Sequence, residues 1–459
     1  RLIYENIAIP APSPLGVNSL MVSDYGDKYK QFSQEVRLQS TGDGALQYMV
    51  GAYYERGKTT VPLYLGYFQG QYGALAPDYF KATDLIVAAS DASQKSTTWS
   101  GFATLSYEFT PQLRASVGMR YSSVRKTASR NGFIGTVAPW PDDAVPRFWG
   151  NVVPGPIAGQ AQLAPLLGAS ISQFPIRKRT DDEWMPSANI TYKITDDVMT
   201  YASYTHGFKA GGYNLLLSTD TFNPEKADSY EFGIKSSWLN RRLTANVTLF
   251  QTDYKNLQES GNLFLESGTF VPFIGNVAKS RSKGVEFELN ALVADGFNFN
   301  ANVAYLEAKY LDYPNAPCSP IQNILARRPN AGITCPMTNM KGASRVNAPK
   351  WSGSVSADYS HAVSSDLKLA FGSTVYFRSK YYISAIPEDV TSQRSFAKVD
   401  ARASLGEIND VWEVSVIGQN ILNKKTYTYA AHMPSAPGST QFVTDRGRSI
   451  GVQFKMKFN

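Results

Sequence analysis

The chain has 459 residues, with 45 Lys+Arg against 38 Asp+Glu and a formal net charge of +7. Charged residues are only 18% and apolar residues 43%, which excludes a disordered chain, and no run reaches the roughly 18 apolar residues of a transmembrane helix. Aromatic residues reach 13%, led by 27 Tyr and 24 Phe, a composition that favours β-structure. Basic residues are scattered except for Arg177-Lys178-Arg179, so no nucleic-acid partner is expected.

Residues 1–28, with Pro10, Pro12 and Pro14, read as the tail of a long loop. Period-two alternation then predicts fifteen strands: 29–41, 44–58, 95–109, 113–127, 183–194, 197–210, 226–239, 241–256, 270–292, 297–311, 350–362, 367–382, 395–408, 411–425 and 447–458. In one of them Leu243, Ala245, Val247 and Leu249 alternate with Thr244, Asn246 and Thr248. A strand sorts such a pattern onto two faces, whereas a helix smears it around its surface. Many of these strands exceed the 9–11 residues needed to cross a bilayer, and soluble strands average about 5–6.

The connections alternate in length. Short turns such as Asn240-Arg241, Asp295-Gly296 and Asn409-Asp410 are interleaved with long segments at 59–94, 128–182, 211–225, 257–269, 312–349, 383–394 and 426–446. In an up-and-down antiparallel sheet, every second connection emerges at the same end. One rim therefore carries tight turns and the other large loops, the layout of an outer-membrane β-barrel. Leu243, Val247, Leu249, Val285, Phe287, Leu289, Phe299, Val303, Trp412, Val414, Val416, Val452, Phe454 and Met456 are expected on the lipid face. Glu286, Glu288, Asn300, Asn302, Gln453 and Lys455 are expected inside, with Glu286 and Glu288 pairing to cations such as Lys235. Tyr53 and Tyr54, Tyr107 and Phe109, Tyr201 and Tyr204, Tyr376 and Phe377, and Tyr381 and Tyr382 read as girdle aromatics. The first and last predicted strands run the same way, so an antiparallel wall closes only with an odd number of further strands between them.

Specific stretches also carry a resemblance. They are Phe32-Ser33-Gln34-Glu35-Val36-Arg37-Leu38, Gly207-Phe208-Lys209-Ala210-Gly211-Gly212-Tyr213-Asn214, Asn223-Pro224-Glu225, and Tyr230-Glu231-Phe232-Gly233-Ile234-Lys235. Lys283-Gly284-Val285-Glu286-Phe287-Glu288, Gly418-Gln419-Asn420-Ile421-Leu422-Asn423-Lys424 and the ending Gly451 to Phe458 follow in order. As an ordered set they resemble a TonB-dependent outer-membrane receptor. The resemblance implies an all-β transmembrane barrel of about 22 strands, of which residues 29–459 supply the last fifteen. The plug domain and TonB box of that family have no counterpart here, and Asn459 stands where the family commonly ends on an aromatic residue.

The function implied by the resemblance is energised uptake of a scarce nutrient, a ferric siderophore first. Heme, vitamin, glycan or plant-derived compounds are alternatives within the family, and a passive porin is the alternative outside it. The implied partners are outer-membrane lipid, the TonB complex acting through the plug, and a ferric chelate. No cofactor and no enzyme activity are expected, because His206, His361 and His432 are scattered and form no metal-site or catalytic spacing. Two loops offer ligand-stacking candidates: Tyr64, Tyr67, Phe68, Tyr72, Tyr79 and Phe80 in the first, Trp140, Trp149, Arg177 and Arg179 in the second. Exposed aromatics stack on ligand rings and Arg pairs with anionic chelates. Cys318 and Cys335, in one long loop beside Pro317, Pro320 and Pro336, are expected to form a disulfide.

Overall fold

The computed structural model describes residues 2–9, 19–25, 27–68, 85–137, 153–154, 174–215, 221–264, 270–314, 316, 318–319, 322, 339–384, 387–432 and 439–458. Fifteen long strands build one continuous wall: β1 (Lys28–Gln39), β2 (Leu46–Phe68), β3 (Leu85–Glu108), β4 (Leu113–Val137), β5 (Phe174–Lys193), β6 (Val198–Lys209), β7 (Glu225–Trp238) and β8 (Leu243–Phe264). They continue as β9 (Phe270–Ala294), β10 (Phe297–Asp312), β11 (Trp351–Ala362), β12 (Leu367–Arg378), β13 (Phe396–Glu407), β14 (Trp412–Gln419) and β15 (Ser449–Met456). Each pairs antiparallel with the next, from β1·β2 through β14·β15. Every strand predicted from alternation is present. No helix is long and apolar enough to cross a membrane among the described residues.

Several boundaries differ from the expected ones: some strands reach further toward the loops, whereas those expected at 367–382 and 411–425 stop at Arg378 and Gln419. β2 runs on to Phe68 and β3 starts at Leu85, so much of the expected loop 59–94 is hairpin. β4 likewise continues to Val137 and β5 begins at Phe174. The alternation fades there, because a strand rising above the bilayer into water has no apolar face to satisfy, yet backbone pairing continues. The segment 1–28 is not irregular either. Strands Leu2–Ile9 and Ser19–Tyr25 form a hairpin, and Met21 to Tyr25 pairs with Leu63 to Tyr67 beyond the end of β1.

The tight turns use left-handed backbone. Leu239, Asn240 and Arg241 have φ of 56°, 54° and 66°, and Asp410 has 62°. At Gly296, with φ of 76°, an added Cβ would lie 2.1 Å from the Ser360 carbonyl, so only glycine fits.

Register sorts the two faces. Val247 stands opposite Phe287, which stands opposite Val303, while Asn246, Glu288 and Asn302 form the neighbouring row. Val414 faces Phe454 and Glu413 faces Lys455. The expected apolar set therefore shares one face and the expected polar set the other. Of the proposed girdle pairs, Tyr54, Tyr204 and Phe377 lie on the apolar face. Tyr53, Tyr201 and Tyr376 are corrected to the polar face, because adjacent strand residues point to opposite sides. Tyr53 donates to Glu55 at 2.6 Å, and Tyr201 donates to Glu231. Tyr107 and Phe109 share the apolar face, edge to face at 4.9 Å. Tyr381–Tyr382 instead forms a short loop strand against Ser392–Gln393.

The wall is open between β1 and β15. They run in the same direction, and no pairing joins them among the described residues. All twelve residues of β1 are exposed, whereas β6 between two neighbours has only two exposed residues. Val36 at 67% and Val452 at 75% mark the two bare edges.

Candidate functional site: the polar face and the loops above it

Charged side chains line the concave polar face. A hollow of about 1060 Å³ lies there, walled by Glu286, Glu288, Asn302, Tyr376, Arg378, Lys398 and Asp400 and roofed by Asn347, Tyr381, Thr426, Tyr427 and Asp445 from the long connections. It mixes acid and base, and its partnerships are local. Lys398 forms an ion pair with Asp445, tying β13 to the last loop. Asp400 accepts the Asn420 backbone N–H at 2.7 Å.

Glu286 and Glu288 do lie on this face, but they do not pair with Lys235 among the described residues. Asn246 donates to Glu288 at 3.2 Å, and the Lys235 ammonium sits 5.5 Å from the centre of the Tyr201 ring. Register explains this, since Lys235 stands opposite Asn246, which keeps it one strand away from Glu288.

The Gly-Gln-Asn-Ile-Leu-Asn-Lys stretch is a corner. Asn420 and Asn423 adopt φ of 49° and 51°. The Asn420 amide donates to the Lys424 carbonyl at 3.0 Å, and its oxygen accepts the Lys424 N–H at 2.8 Å. One side chain thus satisfies the backbone where β14 turns into a long loop.

The loops pack on small cores of their own. Leu257, Val277, Tyr310, Ala316 and Met340 form one, with Tyr310 fully buried. Its hydroxyl donates to Glu259 at 2.6 Å, and Arg345 lies 3.4 Å from the same carboxylate. Tyr381, Ile383 and Ala430 form another, joining two connections over the hollow. Long ordered loops need such cores. The sequence pattern misses them because their residues come from strand ends and connections distant in the chain.

Of the predicted ligand contacts, Arg179 is placed most fully. Its guanidinium pairs with Asp181 and donates to the Phe222 carbonyl at 2.8 Å. Lys126 donates to the neighbouring Gly211 carbonyl at 2.7 Å. Arg179 therefore braces the glycine-rich connection after β6, and its charge is already matched. Arg177 is exposed on β5, two residues away on the same face. Tyr64, Tyr67 and Phe68 lie on β2, and their side chains are outside the described residues, as are Tyr72, Tyr79, Phe80, Trp140 and Trp149 altogether. Cys318 is buried at 4% exposure and disulfide-bonded, and Cys335 lies outside the described residues.

His206 has partners on neighbouring strands that its spacing in the sequence does not reveal. Its Nδ1 is 2.7 Å from Asp228 and its Nε2 is 3.5 Å from Glu183, which also holds Lys226 at 2.5 Å. Tyr204 donates to the same Asp228 oxygen at 2.9 Å. No group of three His, Cys, Asp or Glu fit to hold a metal ion is present among the described residues.

Comparison with known proteins adds to this geometry. The TonB dependent receptor-like β-barrel family matches residues 5–421. The ferric-pyoverdine M114 receptor PbuA of Pseudomonas sp. is 26% identical over 244 residues, 53% of this chain and 26% of that protein. The ferric-pyoverdine 358 receptor of Pseudomonas putida is 36% identical over 119 residues, 25% of this chain and 14% of that protein. The crystal structure of the ferric yersiniabactin uptake receptor FyuA from Yersinia pestis aligns over 96% of this chain and 57% of that one, with a TM-score of 0.66 at 18% identity. The chain thus spans about a quarter of the first of these relatives and a little over half of the solved receptor.

Proposed function

The chain belongs to the TonB-dependent receptor β-barrel family, and from that premise we propose that it is the wall and loop region of an outer-membrane receptor for ferric siderophores in a Gram-negative bacterium. The observation that carries this reading is the polar hollow on the concave face, roofed by loops packed on their own cores. A charged, water-filled interior under an ordered rim suits a polar chelate that is captured outside and released inward. The ferric-pyoverdine receptors among its relatives support the substrate class.

In this reading the TonB complex acts on a plug domain of the whole protein. An odd number of further strands joins β15 to β1 and closes the wall. Tyr64, Tyr67, Phe68, Tyr72, Tyr79, Phe80, Trp140, Trp149 and Arg177 are the candidate chelate contacts, while Arg179 holds the connection after β6. Cys335 pairs with Cys318 to close the loop between β10 and β11. The chain does no chemistry on its cargo.

The test is uptake of radiolabelled iron by a deletion strain carrying the full-length receptor gene. Restored uptake of one ferric siderophore, abolished by a protonophore, is expected. Restored uptake that the protonophore leaves intact would show a passive channel instead.

A further inference from the structure

One ladder of the wall stops short. β5 pairs with β6 only from Lys193 opposite Met199 to Ser187 opposite Thr205. Both strands continue toward the loops, β5 to Phe174 and β6 to Lys209. There β5 stays paired with β4, as far as Phe174 opposite Arg130, and β6 with β7, as far as Lys209 opposite Glu225. Every other ladder from β1·β2 to β14·β15 reaches, to within one residue, the loop-side end of one of its strands. The break falls at Pro186, the next residue along β5, which has no N–H to donate. The ladder to β4 runs on past it, with Met119 opposite.

Side chains cross the gap instead. Glu183 belongs to the polar face, in one row with Ser122, Ser100 and Tyr53. His206 follows Tyr204 on the apolar face, and Lys226 shares that face on β7. A continued register would set Glu183 opposite Lys209. Its carboxylate lies instead 3.5 Å from His206 Nε2 and 2.5 Å from Lys226 Nζ. A carboxylate from one face thus meets an imidazole and an ammonium from the other, through space that a ladder would fill. Nearby, Arg179 donates to the Phe222 carbonyl at 2.8 Å and Lys126 to the Gly211 carbonyl at 2.7 Å. Tyr213, from the same connection, is buried against Ala128 of β4. These links, and no backbone ladder among the described residues, hold the upper parts of β4 and β5 to β6, β7 and the connection between them.

We propose that this gap is the opening joint of the mouth: above Pro186 the paired upper parts of β4 and β5 swing away from β6 and β7, and the crossing side chains are the latch that holds them closed. The role of the opening, to widen the rim for an incoming chelate, rests on the receptor reading above. A continuous ladder resists such a swing, because its backbone pairs would have to part together. Here the moving pair keeps its own ladder, and only side-chain links exchange for water, at small cost where they are partly exposed. Strand positions beside a break in pairing are suited to absorb the rotation. The level of the break fits as well. Tyr121 and Trp184, with ring centres 4.8 Å apart, and Tyr204 and Tyr230, 5.3 Å apart, stand on the outer face beside it. Such rings mark the height where lipid tails give way to headgroups. Backbone groups bared by the swing therefore meet water, while the ladder from Ser187 to Lys193 keeps the wall sealed at membrane depth.

The test places spin labels at Thr180→Cys on β5 and Lys279→Cys on β9, two exposed positions outside the latch. Pulsed electron paramagnetic resonance of the full-length receptor in nanodiscs then reads the distance across the joint. Ile190→Cys and Val285→Cys, which share one row from β5 to β9 below Pro186, are the control pair. Breaking the latch with Glu183→Gln/Lys126→Gln is expected to add a population longer across the joint by ~5 Å, one strand spacing, and to leave the control distance unchanged. Lys226→Gln is expected to add a smaller share of the same population, and it serves if the double variant does not insert. Identical distances with and without the latch overturn the joint. Lengthening of both pairs overturns it too, by showing a general loosening of the wall. Stapling the Thr180→Cys/Lys279→Cys pair with a bismaleimide is expected to cut energised iron uptake about tenfold relative to either single-cysteine variant treated alike. Unchanged uptake by the stapled receptor overturns the role in admission. A receptor that carries no iron even unstapled overturns the siderophore reading, an outcome distinct from any change in the distances.

Discussion

Arg179 and Asp181 lie on one face of β5 and are joined by two hydrogen bonds, Nε to Oδ2 at 2.9 Å and Nη2 to Oδ1 at 2.7 Å. The Asp181 side chain is 6% exposed. The remaining guanidinium nitrogen reaches across to Phe222, so one ion pair couples the strand to the connection after β6. Removing one partner of a buried pair leaves an uncompensated charge, at about 3–5 kcal/mol. Arg179→Ala is therefore expected to accelerate amide exchange at 211–215 and 221–225 while the wall beneath stays protected. Lost siderophore affinity with unchanged exchange would instead make Arg179 a direct ligand contact.

Val247 tests the register. It is placed opposite Ile234 on one side and Phe287 on the other, on the apolar face. Val247→Arg is expected to destabilise the full-length receptor in bilayers by about 2–4 kcal/mol if the site is near the midplane. Asn246→Arg, one residue along and facing the polar interior, is expected to cost far less. Urea titration of both variants in lipid vesicles makes the comparison, and equal costs would mean that the faces are assigned wrongly.

The strands were legible because lipid on one side and water on the other impose period two, and fifteen segments obey it. Legibility stopped where one of those conditions lapsed. Above the bilayer, β2 to β5 continue as hairpins wetted on both sides, so their upper halves read as loop. Tyr53 and Tyr54 looked like one girdle pair because composition is one-dimensional, yet the pleat sends them to opposite faces. The bracing role of Arg179, the partners of His206 and the core around Tyr310 depend on residues separated by many positions in sequence. The gap above Pro186 is equally hidden, because a proline in the sequence shows that one N–H is missing and not which neighbouring ladder lacks it.

Asp410 and Lys368 bind neighbouring tight turns together, with the ammonium donating to the carboxylate at 2.6 Å. That hydrogen bond, followed by the attraction of Lys368, holds the Asp410 carboxyl below its ordinary value of 3.8. A lowered folded-state value means that the unfolded chain takes up the proton first. The contribution is therefore complete above the ordinary value and is lost as pH falls through the folded one. Asp410→Asn is expected to weaken the receptor relative to wild type at pH 5 to 7, with the difference closing below about pH 4. A difference that persists unchanged at pH 2 would assign the effect to turn geometry, since Asp410 also holds a φ of 62°.

Cys318 is buried and disulfide-bonded, two residues along the chain from Ala316 of the core that holds Tyr310 and Met340. Closing the segment to Cys335 confines the unfolded chain, at roughly 3 kcal/mol in the chain-entropy model. Alkylation without reductant is expected to label neither cysteine, and Cys318→Ser is expected to expose 339–343 to faster exchange. Labelling of Cys335 in the native oxidised receptor would rule out the pair.

The open side between β1 and β15 leads to the last expectation. The outer edges of both strands carry backbone N–H and C=O groups that no neighbouring strand satisfies among the described residues. At membrane depth each such group costs several kcal/mol, because lipid offers no hydrogen bond in return. The two edges can meet only as a parallel pair, since both strands run from the loop rim to the turn rim. Residues 1–459 alone are therefore expected to refold in detergent without gaining the compact, SDS-resistant form, whereas the full-length receptor gains it. A heat-modifiable band from the 459-residue chain by itself would show that β1 and β15 can seal directly, and that the further strands proposed between them are not needed.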